Sequence, residues 1–310
     1  MCRKAFPSER RLSIDTVVSR TQAATPHQEY SFFMRTEDTD LRILLRLYFG
    51  LFSVWGLMDE IKAGKEYAVL RHVYKEGYPA PFSYAFSAAM QPFGRPYLIA
   101  DPGDGEPWFQ FLDSFREVQE KIIASLAGEM VKLHRSIEPR HPLLPIIEIE
   151  PLFQRLWARV AGQRDQALKQ CLERCLNQMT GLDPLPPVLL HGCLDLDHVL
   201  IQTDTIRTVT NWEHAAIGDP RWDVAYTALA VRQAVDRPLA ERFVQEYITR
   251  SGVSLEHMEK WEAMVALRMY TLCQWVQSLD DKSNRTVTGT HLKFLEQKDF
   301  YRERAFSVFG

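Results

Sequence analysis

Residues His191–Tyr226 read HGCLDLDHVLIQTDTIRTVTNWEHAAIGDPRWDVAY. The surrounding pattern turns to β at Val188–Leu190, Val199–Ile201 and Ile206–Thr210. Asp219 followed by Pro220 then marks a helix start, because the carboxylate can cap free amides and proline is tolerated at the first helical position. The side chains capable of chemistry sit in the connections: Cys193, Asp195, Asp197, His198, Asn211 and Glu213. His191, Cys193 and His198 match no standard zinc spacing and no fourth ligand is evident. A buried thiol and a structural histidine account for Cys193 and His198 more simply than a thiolate nucleophile does.

The chain around this stretch has 310 residues, which suggests two domains or one two-lobed unit at roughly 100–200 residues per domain. Hydrophobic residues make up 46% and charged residues 25%, the balance of a globular protein with a sizeable core. That composition excludes a disordered chain, a collagen and a coiled-coil rod. Lys plus Arg is 37 and Asp plus Glu is 40, so no basic field exists for non-specific nucleic-acid binding. The five cysteines, Cys2, Cys171, Cys175, Cys193 and Cys273, are odd in number and argue against a disulfide framework. With no apolar run at the start, a cytoplasmic protein without a signal peptide is expected. Leu41–Met58 is the most apolar segment, but it carries Arg42 and Arg46 and alternates in its first half, so it reads as a strand and not a membrane span.

Residues 1–12 are polar and basic and are expected to form a loose arm. Strands are expected at Ile14–Ser19, Tyr30–Arg35 and Leu41–Phe49, then a helix over Leu57–Lys75 closed by Gly77. In the third strand Arg42, Leu44, Arg46 and Tyr48 share one face and Ile43, Leu45, Leu47 and Phe49 the other. Two more strands follow, Phe82–Phe86 and Arg95–Asp101, before the turn cluster Asp101–Gly105. The boundary is placed there, giving an α+β lobe over residues 13–101 and a mainly helical lobe over residues 102–310. Long helical runs are expected at Phe109–Ile137 and Pro151–Met179, and helices again from Pro220 onward.

The central stretch resembles the catalytic segment of the aminoglycoside phosphotransferase family, which shares the two-lobed protein-kinase-like α+β fold. That family shows His-Gly-Asp, four residues, Asn, then Val-Leu, and later Asp-Trp-Glu and Gly-Asp-Pro. Here His191-Gly192, Val199-Leu200, Trp212-Glu213, Gly218-Asp219-Pro220 and Asp223 match. Weaker likeness extends outward. Arg46 stands in the place of the phosphate-contacting base, Glu66 in that of its helical partner, Gly94–Ile99 in that of the strand entering the hinge, and Leu133-His134 at the end of the helix before the catalytic loop. The resemblance implies ATP or another nucleotide in the cleft, held by Arg46, Glu66 and the backbone around Ala100, Asp101 and Pro102.

The sequence departs from the family where chemistry is done. Phosphoryl transfer needs a carboxylate on the attacking hydroxyl, oxygen ligands for Mg²⁺ and a loop of backbone amides over the phosphates. Cys193 holds the general-base position, and a protonated thiol is a poor acceptor for a hydroxyl hydrogen bond. His198 holds the Asn position, although Mg²⁺ prefers oxygen ligands. Asn211 holds the metal-aspartate position and lacks its charge. The phosphate loop, expected near Ala23–Gln28, has no glycine, and the first glycine in the chain is Gly50.

These departures converge on a pseudokinase that binds a small molecule or a protein partner without efficient phosphoryl transfer, with Mg²⁺ not bound in the usual way. The rival is an ATP-dependent small-molecule kinase with a rearranged site, using Asp195 or Asp197 as base and Asn211 with Glu213 on metal. A third reading is an interaction protein with a closed cleft. Three further features have plain explanations. Cys171 and Cys175 share one helix face and suit packing better than metal. Trp108, Trp157 and Trp275 fit core positions better than a ligand cage. Glu256, Glu259 and Glu262 could attract a cationic sugar, but a solvated helix face explains them more simply.

Overall fold

The computed structural model describes residues 13–19, 27–35, 40–48, 59–89, 91–136, 144–162, 165–283 and 296–310. The expected arm at residues 1–12 and residues 23–26 of the expected phosphate loop lie outside them.

Three strands open the chain: β1 (Ser13–Ser19), β2 (His27–Arg35) and β3 (Asp40–Tyr48). After helix α1 (Asp59–Lys75) come β4 (Ser83–Ser87) and β5 (Tyr97–Ala100). They form one antiparallel sheet in the order β1-β2-β3-β5-β4. The alternation read in β3 is obeyed. Ile43, Leu45 and Leu47 pack with Phe32, Met34, Tyr97 and Ile99 in a core on one face, while Tyr48 joins a second core with Val69, Leu70 and Val73 of α1. Helix α1 ends in a Schellman arrangement. Gly77, at φ +71°, occupies the left-handed position, and the Gly77 and Tyr78 amides donate to the Tyr74 and Val73 carbonyls at 3.0 Å each.

The second lobe is mainly helical. The run expected as one helix from Phe109 is a short 3₁₀ turn, Trp108–Phe111, followed by α2 (Arg116–Ser136). Trp108 is fully buried and donates to the Gln119 side chain at 2.7 Å, which fixes the turn against α2. The expected Pro151–Met179 run is likewise two helices, α3 (Ile149–Val160) and α4 (Gln166–Met179). Asp165 caps α4 by accepting from the Leu168 amide at 2.9 Å, so a new helix starts there. Then follow β7 (Val188–Leu190), β8 (Val199–Gln202), β9 (Thr205–Val209), a 3₁₀ turn at Trp212–His214, and β10 (Ala216–Gly218). Helices α5 (Arg221–Ala234), α6 (Arg237–Ser251), α7 (Met258–Ser283) and α8 (Lys298–Phe309) complete the lobe.

The architecture is the two-lobed α+β arrangement expected from the sequence. Strand β7 pairs with β10, and β8 pairs with β9 and β6 (Glu106–Pro107). The connection His191–His198 is thus held at both ends by small sheets. Among the described residues no helix is long and apolar enough to cross a membrane.

Gly192 is the tightest point of this connection. Its φ is +88°, and a Cβ there would lie 2.2 Å from the His214 carbonyl oxygen. Gly192→Ala therefore combines a left-handed backbone penalty with a clash against backbone that cannot move aside. The variant is expected to lose about 3 kcal/mol or more of stability, read as a lowered urea midpoint at unchanged slope.

Candidate functional site

A buried guanidinium organises the cleft between the lobes. Arg46, on β3, points its Nη1 at Glu66 Oε1 of α1 at 2.5 Å. Its Nε and Nη2 donate to Glu29 Oε1 of β2 at 2.9 and 2.6 Å. Glu29 and Arg46 are directly opposite in the β2–β3 register, which makes this contact a consequence of strand pairing. Nη1 also donates to Asn211 Oδ1 at 3.2 Å. Tyr48 donates its hydroxyl to the second Glu66 oxygen at 2.5 Å, so that carboxylate is satisfied on both sides. Burial alone would push the Glu29 carboxyl up. The Arg46 guanidinium, helped by His27, overcomes it and holds the group well below the usual carboxylate range.

The loop after β7 is pinned by the start of α5. Asp223 accepts from the His191 and Gly192 amides at 2.7 and 2.8 Å. It also lies 3.3 Å from His134 Nε2, whose other ring nitrogen meets the Tyr247 hydroxyl at 2.8 Å. The Trp222 indole donates to the Gly192 carbonyl at 3.1 Å, and the Thr227 hydroxyl donates to the Leu194 carbonyl at 2.8 Å. His191 is fully buried and donates through Nε2 to the Thr210 carbonyl at 2.8 Å. Burial pushes its pKa down to about 3, so it stays neutral.

On this backbone the replaced side chains bond to one another. His198 Nδ1 faces the Cys193 carbonyl oxygen at 3.0 Å and Asp195 Oδ1 at 3.1 Å. The proton therefore belongs on Nδ1, and Nε2 accepts from the Asn211 amide nitrogen at 2.8 Å. That fixes the Asn211 oxygen toward Arg46. Asn211 itself sits in the left-handed region at φ +63°, a conformation asparagine tolerates better than most residues. Cys193 is buried, and burial, with the nearby Asp195 and Glu213 carboxylates, pushes its thiol well up. The Asp195 side chain is about a third exposed at 33%. Burial raises its pKa despite the adjacent His198 ring. Asp197 donates its backbone amide to Asp195 Oδ1 at 3.1 Å and its own side chain is only half-buried.

Glu213 is buried between two imidazoles, with His214 Nε2 at 3.0 Å and His27 Nδ1 at 3.7 Å. Burial would raise its pKa, but these rings hold it well below the carboxylate range. Lys65 of α1 is fully buried beneath this group and donates to the Ala215 carbonyl at 3.1 Å, and burial lowers its pKa to about 8. No three His, Cys, Asp or Glu side chains among the described residues converge as metal ligands. His198 and Asn211 are spent on each other and on Arg46, and Glu213 is ion-paired with His214 and His27. These residues do not fit a Mg²⁺ site.

Between the Arg46 node and the inter-lobe connection lies a small cavity. Arg46, Glu66, Ala100, Asp101 and Pro102, the five residues expected at a nucleotide, all line it. Its walls are Leu44, Leu70, Pro81 and Leu98, with Thr210 and Asn211 at the inner end. The carboxylates expected on a C-terminal helix behave differently. Glu256 precedes α7, Glu259 is exposed, and Glu262 is buried and paired with Arg232 at 3.2 Å and Arg304 at 3.1 Å. Glu262 is therefore neutralised and offers no charge to a cationic sugar. Gln28, placed by the sequence in the phosphate loop, is in strand β2. Cys171 and Cys175 are buried in the helical core.

Glu29, His27, Tyr48 and Lys65 belong to this site, yet sequence reasoning did not single them out. The available signal was polar residues inside apolar strand and helix patterns. It was lost for β2 because the strand was read as starting at Tyr30.

Comparison with known proteins agrees with this fold. No curated protein sequence matches the chain. A candidate aminoglycoside phosphotransferase of Ralstonia eutropha JMP134 is 14% identical with a TM-score of 0.72, covering 96% of this chain and 92% of that one. The aminoglycoside phosphotransferase APH(2″)-IIIa, solved with GDP and kanamycin, is 15% identical with a TM-score of 0.66, covering 100% and 98%. A macrolide 2′-phosphotransferase of Brachybacterium faecium is 17% identical with a TM-score of 0.59, covering 96% and 94%. At such identities the likeness is one of fold. The family model described as the phosphotransferase enzyme family matches residues 28–263, well over half of the chain, and the protein belongs to that family.

Proposed function

We propose that the protein is a pseudokinase of this family, binding a small molecule or a protein partner in the inter-lobe cleft without efficient phosphoryl transfer. One observation carries the reading. Asn211 and His198, at the two metal-ligand positions, are hydrogen-bonded to each other at 2.8 Å, and the Asn211 oxygen is turned to the Arg46 cation. A dication would have to break this chain and accept a nitrogen ligand. Cys193, buried and with its thiol pKa raised, offers no base for a hydroxyl. Losing one positioned electrostatic group commonly costs about 10²–10³-fold in rate, and losses within one site need not add.

A second reading keeps catalysis, and Asp195 favours it. Its carboxylate is partly exposed, its pKa is raised by burial, and it lies in the same loop as Cys193. In this reading the protein is an ATP-dependent small-molecule kinase with Asp195 or Asp197 as base. Structurally similar proteins were solved with GDP and kanamycin, and with ADP and hygromycin B, so nucleotides and aminoglycosides are the probes to use.

Incubation with Mg²⁺-ATP or Mg²⁺-GTP and a panel of aminoglycosides and macrolides is expected to yield no phosphorylated product above the protein-free rate. Turnover abolished by Asp195→Ala or Asp197→Ala would overturn the proposal in favour of the kinase. Cys193 gives a separate expectation. Its alkylation by iodoacetamide at pH 8, followed by peptide mass spectrometry, should be at least about 100-fold slower in the native protein than in urea. Equal rates would return the thiolate nucleophile to consideration.

A further inference from the structure

We infer that a row of three arginines in the second lobe, Arg155, Arg159 and Arg268, forms a subsite beside the loop His191–His198 for a small hydroxylated oxyanion, a sugar acid or a sugar phosphate. This names the class of small molecule that the pseudokinase reading leaves open, and it rests on that reading only for the absence of transfer.

Arg155 and Arg159 lie one turn apart on the same face of α3. The Arg159 guanidinium sits over the Trp275 ring of α7 at 5.1 Å. Arg268 is about two turns before Trp275 on the same face of α7. Its guanidinium lies over the Trp222 ring of α5 at 5.3 Å, and the Trp222 indole in turn donates to the Gly192 carbonyl at 3.1 Å. The row therefore runs from α3 across α7 to the loop. A cation over an aromatic face is held by the ring without use of its N–H donors. Arg268, 2% exposed, is the floor of the row, and the half-buried Arg155 and Arg159 are its open end.

Charge and burial suit this row to an anion. Burial, with Arg155 beside it, lowers the Arg159 pKa. Burial brings Arg268 down to about 10, and Arg159 adds to that effect. The Arg155 Nε donor is buried with no hydrogen-bond partner among the described residues, a costly state for a guanidinium. An oxyanion between Arg155 and Arg159 would supply that partner and offset the repulsion in one step. The acidic neighbours are already engaged. Glu262, the buried carboxylate of α7, is held by Arg232 and Arg304 at 3.2 and 3.1 Å, and Asp195 of the loop faces His198 Nδ1 at 3.1 Å. Toward the loop, Tyr226 and Tyr301 lie within electrostatic reach of both Arg268 and Asp195. Their hydroxyls and the Asp195 carboxylate suit the hydroxyl groups of a ligand whose anionic end rests on the arginines. A polycationic aminoglycoside would meet those arginines as like charges.

The test is calorimetric titration of the full chain with glucose 6-phosphate, gluconate, glucose and kanamycin. At least one of the two anions is expected to bind at least about tenfold more tightly than glucose or kanamycin, and the tighter of the two identifies phosphate or carboxylate as the group recognised. Arg155→Gln and Arg159→Gln should each lower that affinity at least about tenfold, while Arg155→Lys, which keeps the charge, should lose less than Arg155→Gln. In the unaltered protein the affinity should fall at least about threefold as NaCl rises from about 0.05 to about 0.5 M, since screening weakens the attraction. That readout stands should a variant not fold. The inference is overturned if neither anion binds, if glucose or kanamycin binds as tightly, if the affinity ignores salt, or if the folded glutamine variants keep it. Phosphotransfer is read independently with Mg²⁺-ATP. Phosphorylation of either anion would sink the pseudokinase reading and leave the subsite standing, whereas failure of the anions to bind would leave the absence of transfer intact.

Discussion

The Arg46 guanidinium is the constraint around which the cleft is built. A cation this deeply buried is tolerated only when anions and hydrogen-bond acceptors surround it. Glu66 meets it from α1, Glu29 from β2 and Asn211 from the segment after β9. These contacts tie a sheet, a helix and the second lobe to one point. Tyr48 completes the group by saturating Glu66, and Lys65, one residue earlier on α1, reaches the Ala215 carbonyl. The pose of α1 against the second lobe thus follows from two adjacent residues that face the same interface.

Beneath that node the loop His191–His198 keeps its path mainly through contacts from α5, to which His198 adds a bond from Nδ1 to the Cys193 carbonyl. Asp223 holds two of its amides, the Trp222 indole and the Thr227 hydroxyl hold two of its carbonyls, and Gly192 supplies the left-handed turn that passes His214. These contacts join α5 side chains to the loop's backbone, or lie in the loop's own backbone. The course of the loop is thus set in large part from α5, outside the side chains that the loop presents to the cleft.

Much of this was legible in the sequence for identifiable reasons. Alternation over β3 separated Arg46 and Tyr48 from Ile43 and Leu45, because a half-buried strand has a strict period of two. The family-like spacing placed Arg46, Glu66, Ala100, Asp101 and Pro102, and these five line one cavity. Helix breaks were less visible. The interruption between Trp108–Phe111 and α2 depends on a tryptophan–glutamine bond within the packed lobe, which periodicity does not encode. Glu29 was hidden for a related reason. Its role depends on register across a hairpin, and register is fixed by the turn and the buried face together and not by Glu29 itself. Glu262 shows the reverse error, a carboxylate that looks available in sequence but is consumed by Arg232 and Arg304 from elsewhere in the chain.

The substitutions at 198 and 211 are best understood as one change. His198 carries its proton on Nδ1, toward the Cys193 carbonyl and Asp195, so its Nε2 needs a donor. The Asn211 amide provides that donor and at the same time presents an oxygen to Arg46. An ionised aspartate at 211 could do the second but not the first, since it only accepts. It would also place a third carboxylate around one guanidinium, beside Glu29 and Glu66. Asn211 and His198 thus act as one hydrogen-bonded pair whose oxygen end rests on Arg46. The counter-charge for Glu29 and Glu66 comes from Arg46, with His27 beside Glu29.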